Sequence, residues 1–330
     1  MLLCQIMNNL GFWGKLNRPF GRKPTGEAIM ALAPLYDVTD AAFRQIIAKY
    51  GKPDVMFTEF TSADGLCHPA AREKLMAQHL GFTESERPIV AQLFTARPEK
   101  MREAAELCAS LGFDGIDINF GCPDKTIEKQ RCGAAVIKNQ ALALELIQAA
   151  KEGAPHLPIS VKTRIGYKSR DELKPWLDTL LAAKPAAITF HLRTREEMSK
   201  VPAQWELMPA IVAQARGSGV LILGNGDVKS VQEAREKCAK YGCDGVMLGR
   251  AIFGNPWLFS GHVPTAEERL KVLLEHTKLF EQILPTKHFA VMKKHFKSYL
   301  EGIPNHKDLT AKLMETSNAS EVEQILSSLL

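Results

Sequence analysis

The chain has 330 residues, 45% of them hydrophobic and 24% charged, with a formal net charge of +5. That is ordinary globular composition, long enough for one large domain plus a small one, and it argues against a disordered or fibrous chain. The mild basicity permits an acidic partner such as nucleic acid without demanding one.

Met1 to Leu10 is mildly apolar but lacks a basic n-region, a long h-region and an evident cleavage site, so it reads as a tail or first helix rather than a signal peptide. No later segment reaches the ~18 uncharged apolar residues of a membrane span. Seven Cys with no CxxC pair suggest a reducing compartment and neither a disulfide framework nor a metal site. A cytoplasmic protein without membrane contact is expected.

Short apolar runs then alternate with amphipathic helices. The expected strands are Ile29–Ala33, Val55–Thr58, Ile89–Phe94, Gly115–Asn119, Ile159–Thr163, Ala187–His191, Val220–Gly224 and Gly245–Leu248. They are rich in branched residues and poor in central charge, as strands buried on both faces are. The intervening helices are Asp40–Tyr50, Pro98–Leu111, Asn139–Lys151, Asp171–Ala183, Gln204–Ala215 and Val228–Tyr241. Eight such units predict an α/β fold of the TIM-type (β/α)8 barrel class, with a doubly wound sheet as the alternative. From Thr265 onward only helical periodicity remains, with helices expected at Ala266–Leu284, Phe289–Glu301 and Ser320–Leu330. The expected division is an N-terminal extension at 1–26, a barrel at 27–260 and a small all-helical domain at 261–330.

In a parallel barrel the C-terminal strand ends carry the chemistry. Here the first ends in Ala33-Pro34-Leu35, where small and rigid residues let a flat ring approach the backbone. The third contains Gln92 and the fourth ends in Asn119, amides that must find hydrogen-bond partners in the fold or on a ligand. The fifth carries Lys162, costly in a buried strand unless it is paired or faces a pocket. The sixth runs into His191-Leu192-Arg193-Thr194-Arg195, a pattern suited to anionic or carbonyl groups. The seventh and eighth run into Gly224-Asn225-Gly226-Asp227 and Gly249-Arg250, where exposed backbone N–H groups and a guanidinium suit a phosphate.

Cys122 sits in Gly121-Cys122-Pro123, just past the fourth strand, and is favoured as a reactive thiol over Cys132 in the following loop. Cys67, Cys108, Cys238 and Cys243 read as small buried hydrophobes. Near the C-terminus, Lys287, His288, Lys293, Lys294, His295 and Lys297 form a run with no acid among them, equally readable as a solvated helix face or a phosphate-contacting one.

Taken together, Ala33-Pro34-Leu35, Gln92-Leu93, Asn119-Phe120-Gly121-Cys122-Pro123, Gly133-Ala134, Val161-Lys162-Thr163-Arg164, His191 to Arg195, Gly224 to Asp227 and Gly249-Arg250 resemble the tRNA-dihydrouridine synthases, most nearly the bacterial B type. Lys293 to Leu300 is similar to that family's helical tRNA-binding domain. The resemblance implies a flavin enzyme that uses FMN and NADPH to reduce the C5=C6 bond of uridines in tRNA. It implies FMN contacts from Ala33, Pro34, Leu35, Gln92, Lys162, His191, Asn225, Gly226, Asp227, Gly249 and Arg250. It implies Cys122 as proton donor to C5, and substrate contacts from Asn119, Arg193, Arg195, Lys293, Lys294 and Lys297. No metal is implied, and a monomer is expected. Leu192 and Cys132 stand where the family often has Gly, and residues 1–26 extend ahead of its usual start. Two other classes remain open: a small-molecule FMN oxidoreductase of the dihydroorotate or dihydropyrimidine dehydrogenase type, and a non-catalytic RNA-binding barrel.

Overall fold

The computed structural model describes residues 10–16, 28–303, 306–327 and 329–330. Nine strands form one all-parallel sheet: β1 (Ile29–Leu32), β2 (Met56–Phe57), β3 (Thr61–Ser62), β4 (Ile89–Phe94), β5 (Gly115–Phe120), β6 (Ile159–Arg164), β7 (Ala187–His191), β8 (Leu221–Asn225) and β9 (Gly245–Leu248). Their order is β1-β9-β8-β7-β6-β5-β4-β2, with β3 also on β4, and a bridge between Ala31 and Val55 brings the ends together. Helices cover the outside, as in a (β/α)8 barrel.

The expected second strand, Val55–Thr58, is shortened to Met56–Phe57, and a further short strand, Thr61–Ser62, follows it. Between the two the Thr58 and Thr61 hydroxyls both donate to the carbonyl of Glu59, at 3.0 and 3.2 Å. Such local side-chain bonds compete with the ladder and let the chain step along β4. Five barrel helices begin later than their periodicity suggests, at Ala41, Gln140, Leu173, Met208 and Val231. Asp40 accepts from the Phe43 N–H at 3.0 Å and Ser230 from the Glu233 N–H at 3.1 Å, so each is a cap rather than a first-turn residue. The helix His306–Glu315 is an addition to those expected near the C-terminus.

Alternate strand residues point inward, and their character changes with height. At the base, Ile29, Val55, Val90, Ala187 and Leu221 form an apolar plug closed by Trp13, which is 1% exposed and lies 6.5 Å from the Phe57 ring. Residues 10–16 of the expected extension thus seal the barrel base; the rest of that extension lies outside the described residues. Above the plug the inward positions turn polar: Gln92, Asp117, Asn119, Ser160, Lys162 and His191.

The helices Ala266–Ile283 and Ala290–Leu300 pack on the barrel helix Ala41–Tyr50 through one shared apolar core. Phe43 lies 4.8 Å from the His276 ring and 4.7 Å from the His295 ring. Lys287 reaches back to the barrel and donates to Glu59 at 2.7 Å.

Candidate active site

The C-terminal ends of β1, β6, β7, β8 and β9 surround a cavity of about 610 Å³, within the range that small-molecule sites occupy. Ala33, Pro34, Leu35, Lys162, His191, Asn225, Gly226, Asp227, Gly249 and Arg250 line it. Ser199, Val228, Lys229, Met247 and Ala251 line it too, and sequence reading did not single them out. Ser199 and Lys229 lie in loops with no strand-end position to mark them.

Lys162 is the central charge. It opposes Asn119 on β5 and Thr189 on β7. No hydrogen bond engages its Nζ among the described residues, and the surrounding barrel strips it of water. Burial, aided by Arg164, lowers its pKa to about 8, with Asp117 and Cys122 pulling the other way. An anion or an electron-rich ring in the cavity would reverse much of that penalty.

His191 is held in one tautomer. Arg193 approaches its Nε2 at 3.0 Å, and a guanidinium can only donate, so Nε2 accepts and Nδ1 carries the proton. Burial first, and then Arg164, Lys162, Arg193 and Arg250, push its pKa far below the ordinary value, so the ring is neutral.

Asp227 lies on the rim at φ +54°, after Gly226 at φ +127°. Its carboxylate pairs with Arg193 and accepts from Arg250 at 2.8 Å and from the Ala203 N–H at 2.9 Å. Burial favours its neutral form, but those donors outweigh it and hold the pKa below the usual value. A Cβ on Gly226 would come within 2.7 Å of the Ala203 side chain and 3.2 Å of His191, so the turn needs glycine for both its backbone and its space.

Gln92 does not reach the lining. It is fully buried inside the barrel, donating to Asp117 at 2.7 Å and accepting from Asn119 at 2.9 Å. Asn119 turns the other end of its amide to the backbone, where Oδ1 accepts from the N–H groups of Gly121 at 3.0 Å and Cys122 at 2.8 Å. The Cys122 turn is therefore held from beneath. Its thiol is half-buried, and burial raises its pKa above the usual thiol value, so it carries a proton at neutral pH. Cys132 is 1% exposed and packs with Phe94 and Ile127, in keeping with a structural thiol.

The two arginines after His191 are engaged by the protein. Arg193 is 2% exposed and spends its guanidinium on Asp227, His191 and the Val201 carbonyl. Arg195 pairs with Glu128 from the short helix Lys125–Lys129 after β5 and lies 5.7 Å from the Tyr167 ring. The C-terminal basic run is not one face. The side chain of Lys287 and the whole of His295 are buried, and Lys294 pairs with Asp37 at 3.1 Å. Lys293 and Lys297 make no ion pair among the described residues.

Sequence reading assigned no individual role to Asp117, Ser160, Arg164 and Glu128. The first two carry a legible signal: a polar residue at every second position of an otherwise apolar strand, in step with Asn119 and Lys162. Arg164 and Glu128 act through contacts distant in sequence, which no local pattern marks.

The site is suited to a flavin. Among the described residues its one lining carboxylate is already neutralised by two arginines, its interior cation has no hydrogen-bonding partner, and glycines bare the backbone at the rim. Residues 31–329 match the family model described as dihydrouridine synthase (Dus). The probable tRNA-dihydrouridine synthase of Staphylococcus epidermidis strain RP62A is 39% identical over 96% of this chain and 95% of its own. Probable tRNA-dihydrouridine synthase 2 of Bacillus subtilis strain 168 is 39% identical over the same shares. Among solved structures, histamine dehydrogenase from Rhizobium sp. 4-9 is similar over 72% of this chain and 46% of its own, at 13% identity and a TM-score of 0.49. With a family match over residues 31–329 and relatives of this closeness, the chain belongs to the dihydrouridine synthase family.

Proposed function

We propose that this flavin-dependent oxidoreductase reduces the C5=C6 bond of uridines in tRNA, with FMN as its cofactor and NADPH as its reductant. The observation that carries the reading is the juxtaposition of Lys162 with the Cys122 turn: Lys162 pairs in register with Asn119, whose amide holds the Cys122 N–H.

Ala33, Pro34 and Leu35 would offer a flat wall to the flavin ring, and Lys162 and His191 would meet its polar edge. Asn225, Gly226, Gly249 and Arg250 would hold the ribityl chain and phosphate, with Asp227 aiming Arg250. When bound, the flavin supplies hydride transfer from the nicotinamide to C6 of the uracil.

The protein supplies the rest. Cys122, protonated at neutral pH, gives its proton to C5 as general acid. Lys162 offsets the negative charge that gathers in the cavity. Gln92 and Asn119 set the height and direction of the thiol. Arg193 and Arg195 brace the two loops that flank the mouth. Lys293 and Lys297 offer cations to tRNA phosphates on the helical side. Extruding the target base from the stack costs a few kcal/mol, which such contacts can offset. Among the described residues no helix is long and apolar enough to cross a membrane, and a cytoplasmic setting would give access to tRNA and NADPH.

The test is anaerobic. The flavin of the purified protein is reduced with NADPH, tRNA lacking dihydrouridine is added, and flavin reoxidation is followed. The expected result is rapid reoxidation with dihydrouridine formed in the tRNA. A yellow, reducible protein indifferent to every such tRNA would point instead to a small-molecule substrate.

A further inference from the structure

Beneath the Cys122 turn runs a chain of buried side chains anchored at both ends, on backbone N–H groups above and on a carboxylate below. Asp117, Gln92, Asn119 and Ser160 are 1%, 0%, 7% and 3% exposed. Asp117 Oδ2 accepts from Gln92 Nε2 at 2.7 Å, and Oδ1 accepts from the Ser160 hydroxyl at 2.6 Å. Gln92 Oε1 accepts from Asn119 Nδ2 at 2.9 Å, and Asn119 Oδ1 accepts from the N–H groups of Gly121 and Cys122.

An amide can turn end for end at little cost unless its neighbours differ. Here both ends are defined: the N–H groups of Gly121 and Cys122 can only donate and claim the Asn119 oxygen, and the carboxylate of Asp117 claims the Gln92 NH2. An ionised carboxylate accepts and never donates, so the Gln92 NH2 must face Asp117. The Gln92 oxygen must then face Asn119, and the Asn119 oxygen must face the backbone. We propose that Asp117 is a positioning residue that sets, through Gln92 and Asn119, the peptide N–H groups holding the thiol of Cys122. Burial raises the Asp117 pKa to about 6 against the bonds from Ser160 and Gln92, which leaves it ionised at neutral pH. Without that anchor the Gln92 NH2 is buried with no acceptor, and the link that braces Asn119 beneath the Cys122 turn loosens.

The test compares Asp117→Leu, which has no acceptor, with Asp117→Asn, which keeps one. In Asp117→Asn the oxygen can still face Gln92 if the Ser160 hydroxyl turns to the Ile116 carbonyl, 3.4 Å away. The first readout is the rate at which iodoacetamide alkylates Cys122 in the holoenzyme, followed by peptide mapping with Cys67 as internal reference. Asp117→Leu should raise it about 10-fold, with Asp117→Asn within about 3-fold of wild type. The second readout rests on the function proposed above: flavin reoxidation by tRNA should slow roughly 30-fold in Asp117→Leu, with reduction by NADPH within about 3-fold. If Asp117→Leu does not fold, Gln92→Met breaks the chain at its middle link and should give the same rise in alkylation. A wild-type alkylation rate in Asp117→Leu or Gln92→Met, or equal changes in the Leu and Asn variants, would overturn the proposal. Faster alkylation in a protein that leaves tRNA unreduced would uphold the relay and sink only the proposed function.

Discussion

Arg164 donates from Nε to the carbonyl of Gly121 at 2.8 Å, one residue before Cys122. The same guanidinium donates to the carbonyls of Thr194 at 2.9 Å and Met198 at 3.0 Å. One buried cation at the end of β6 thus ties the thiol turn to the loop that carries Arg193 and Arg195. Asn119 holds that turn by its N–H groups and Arg164 by its carbonyl.

Removing this tie should cost both stability and chemistry. Arg164→Met leaves three carbonyls without their charged donor, and a loss of roughly 3 kcal/mol is expected, read as a lower denaturation midpoint. In the fraction that remains folded, uridine reduction should fall more than flavin reduction. Equal losses in both half-reactions would mean that Arg164 supports the barrel generally rather than the thiol turn.

Cys122→Ala should bind flavin and accept electrons from NADPH while losing roughly 100-fold or more in reoxidation by tRNA. Separate stopped-flow traces of the two half-reactions check this. Normal turnover by the variant would remove Cys122 from the role of proton donor.

Trp13→Ala should destabilise the protein by about 3–5 kcal/mol through the cavity left at the barrel base. Trp13→Phe should cost much less, because the indole N–H has no partner among the described residues and its removal leaves nothing unsatisfied there. Thermal unfolding of the two variants distinguishes these outcomes. Similar losses in both would show that the base is held by shape rather than by buried area.

Acid should loosen the contact between the helices and the barrel. Burial lowers the His276 pKa well below its ordinary value, with His295 adding to the effect, and burial with Lys294 and Lys287 lowers that of His295 to about 3. Both rings stay neutral in the fold but take up protons on unfolding. Their contribution is therefore full above about pH 6.5 and is lost as pH falls towards 3, by up to about 1.4 kcal/mol per ring per pH unit. The buried carboxylates Asp40 and Asp117, each raised to about 6, oppose this trend, so the check is a difference. The pH slope of stability should flatten in His276→Phe/His295→Phe; an unchanged slope would mean that the rings are already solvated.

Binding to tRNA should weaken steeply with salt. Lys293→Ala and Lys297→Ala should each lower the slope of log K against log salt by about 1. Lys294→Ala should do less, because Asp37 already holds that ammonium. Filter binding across a salt series reads the slopes, and a slope untouched by all three changes would place tRNA elsewhere on the surface.

Much of this was legible from residue order. Branched apolar runs at regular intervals dictate a buried parallel sheet, because only strands covered on both faces can afford so little polarity. The strand ends that gather around the cavity were legible too, since a barrel carries all its C-terminal ends to one face. Gln92 shows the limit: its position in a strand was clear, but whether it faced a ligand or a neighbour depended on residues 25 and 27 positions away.

The sequence by itself determined the eight-unit barrel, the helical C-terminus and the family, because hydrophobic period and strand-end chemistry are local properties of the chain. Only the tertiary structure decided which charges are free. Arg193 and Arg195 look available in sequence and are occupied by Asp227 and Glu128, while Lys162 looks burdensome and lacks a hydrogen-bonding partner in the cavity. A charge's availability depends on what folding brings within a few ångströms, and those partners come from other strands and loops.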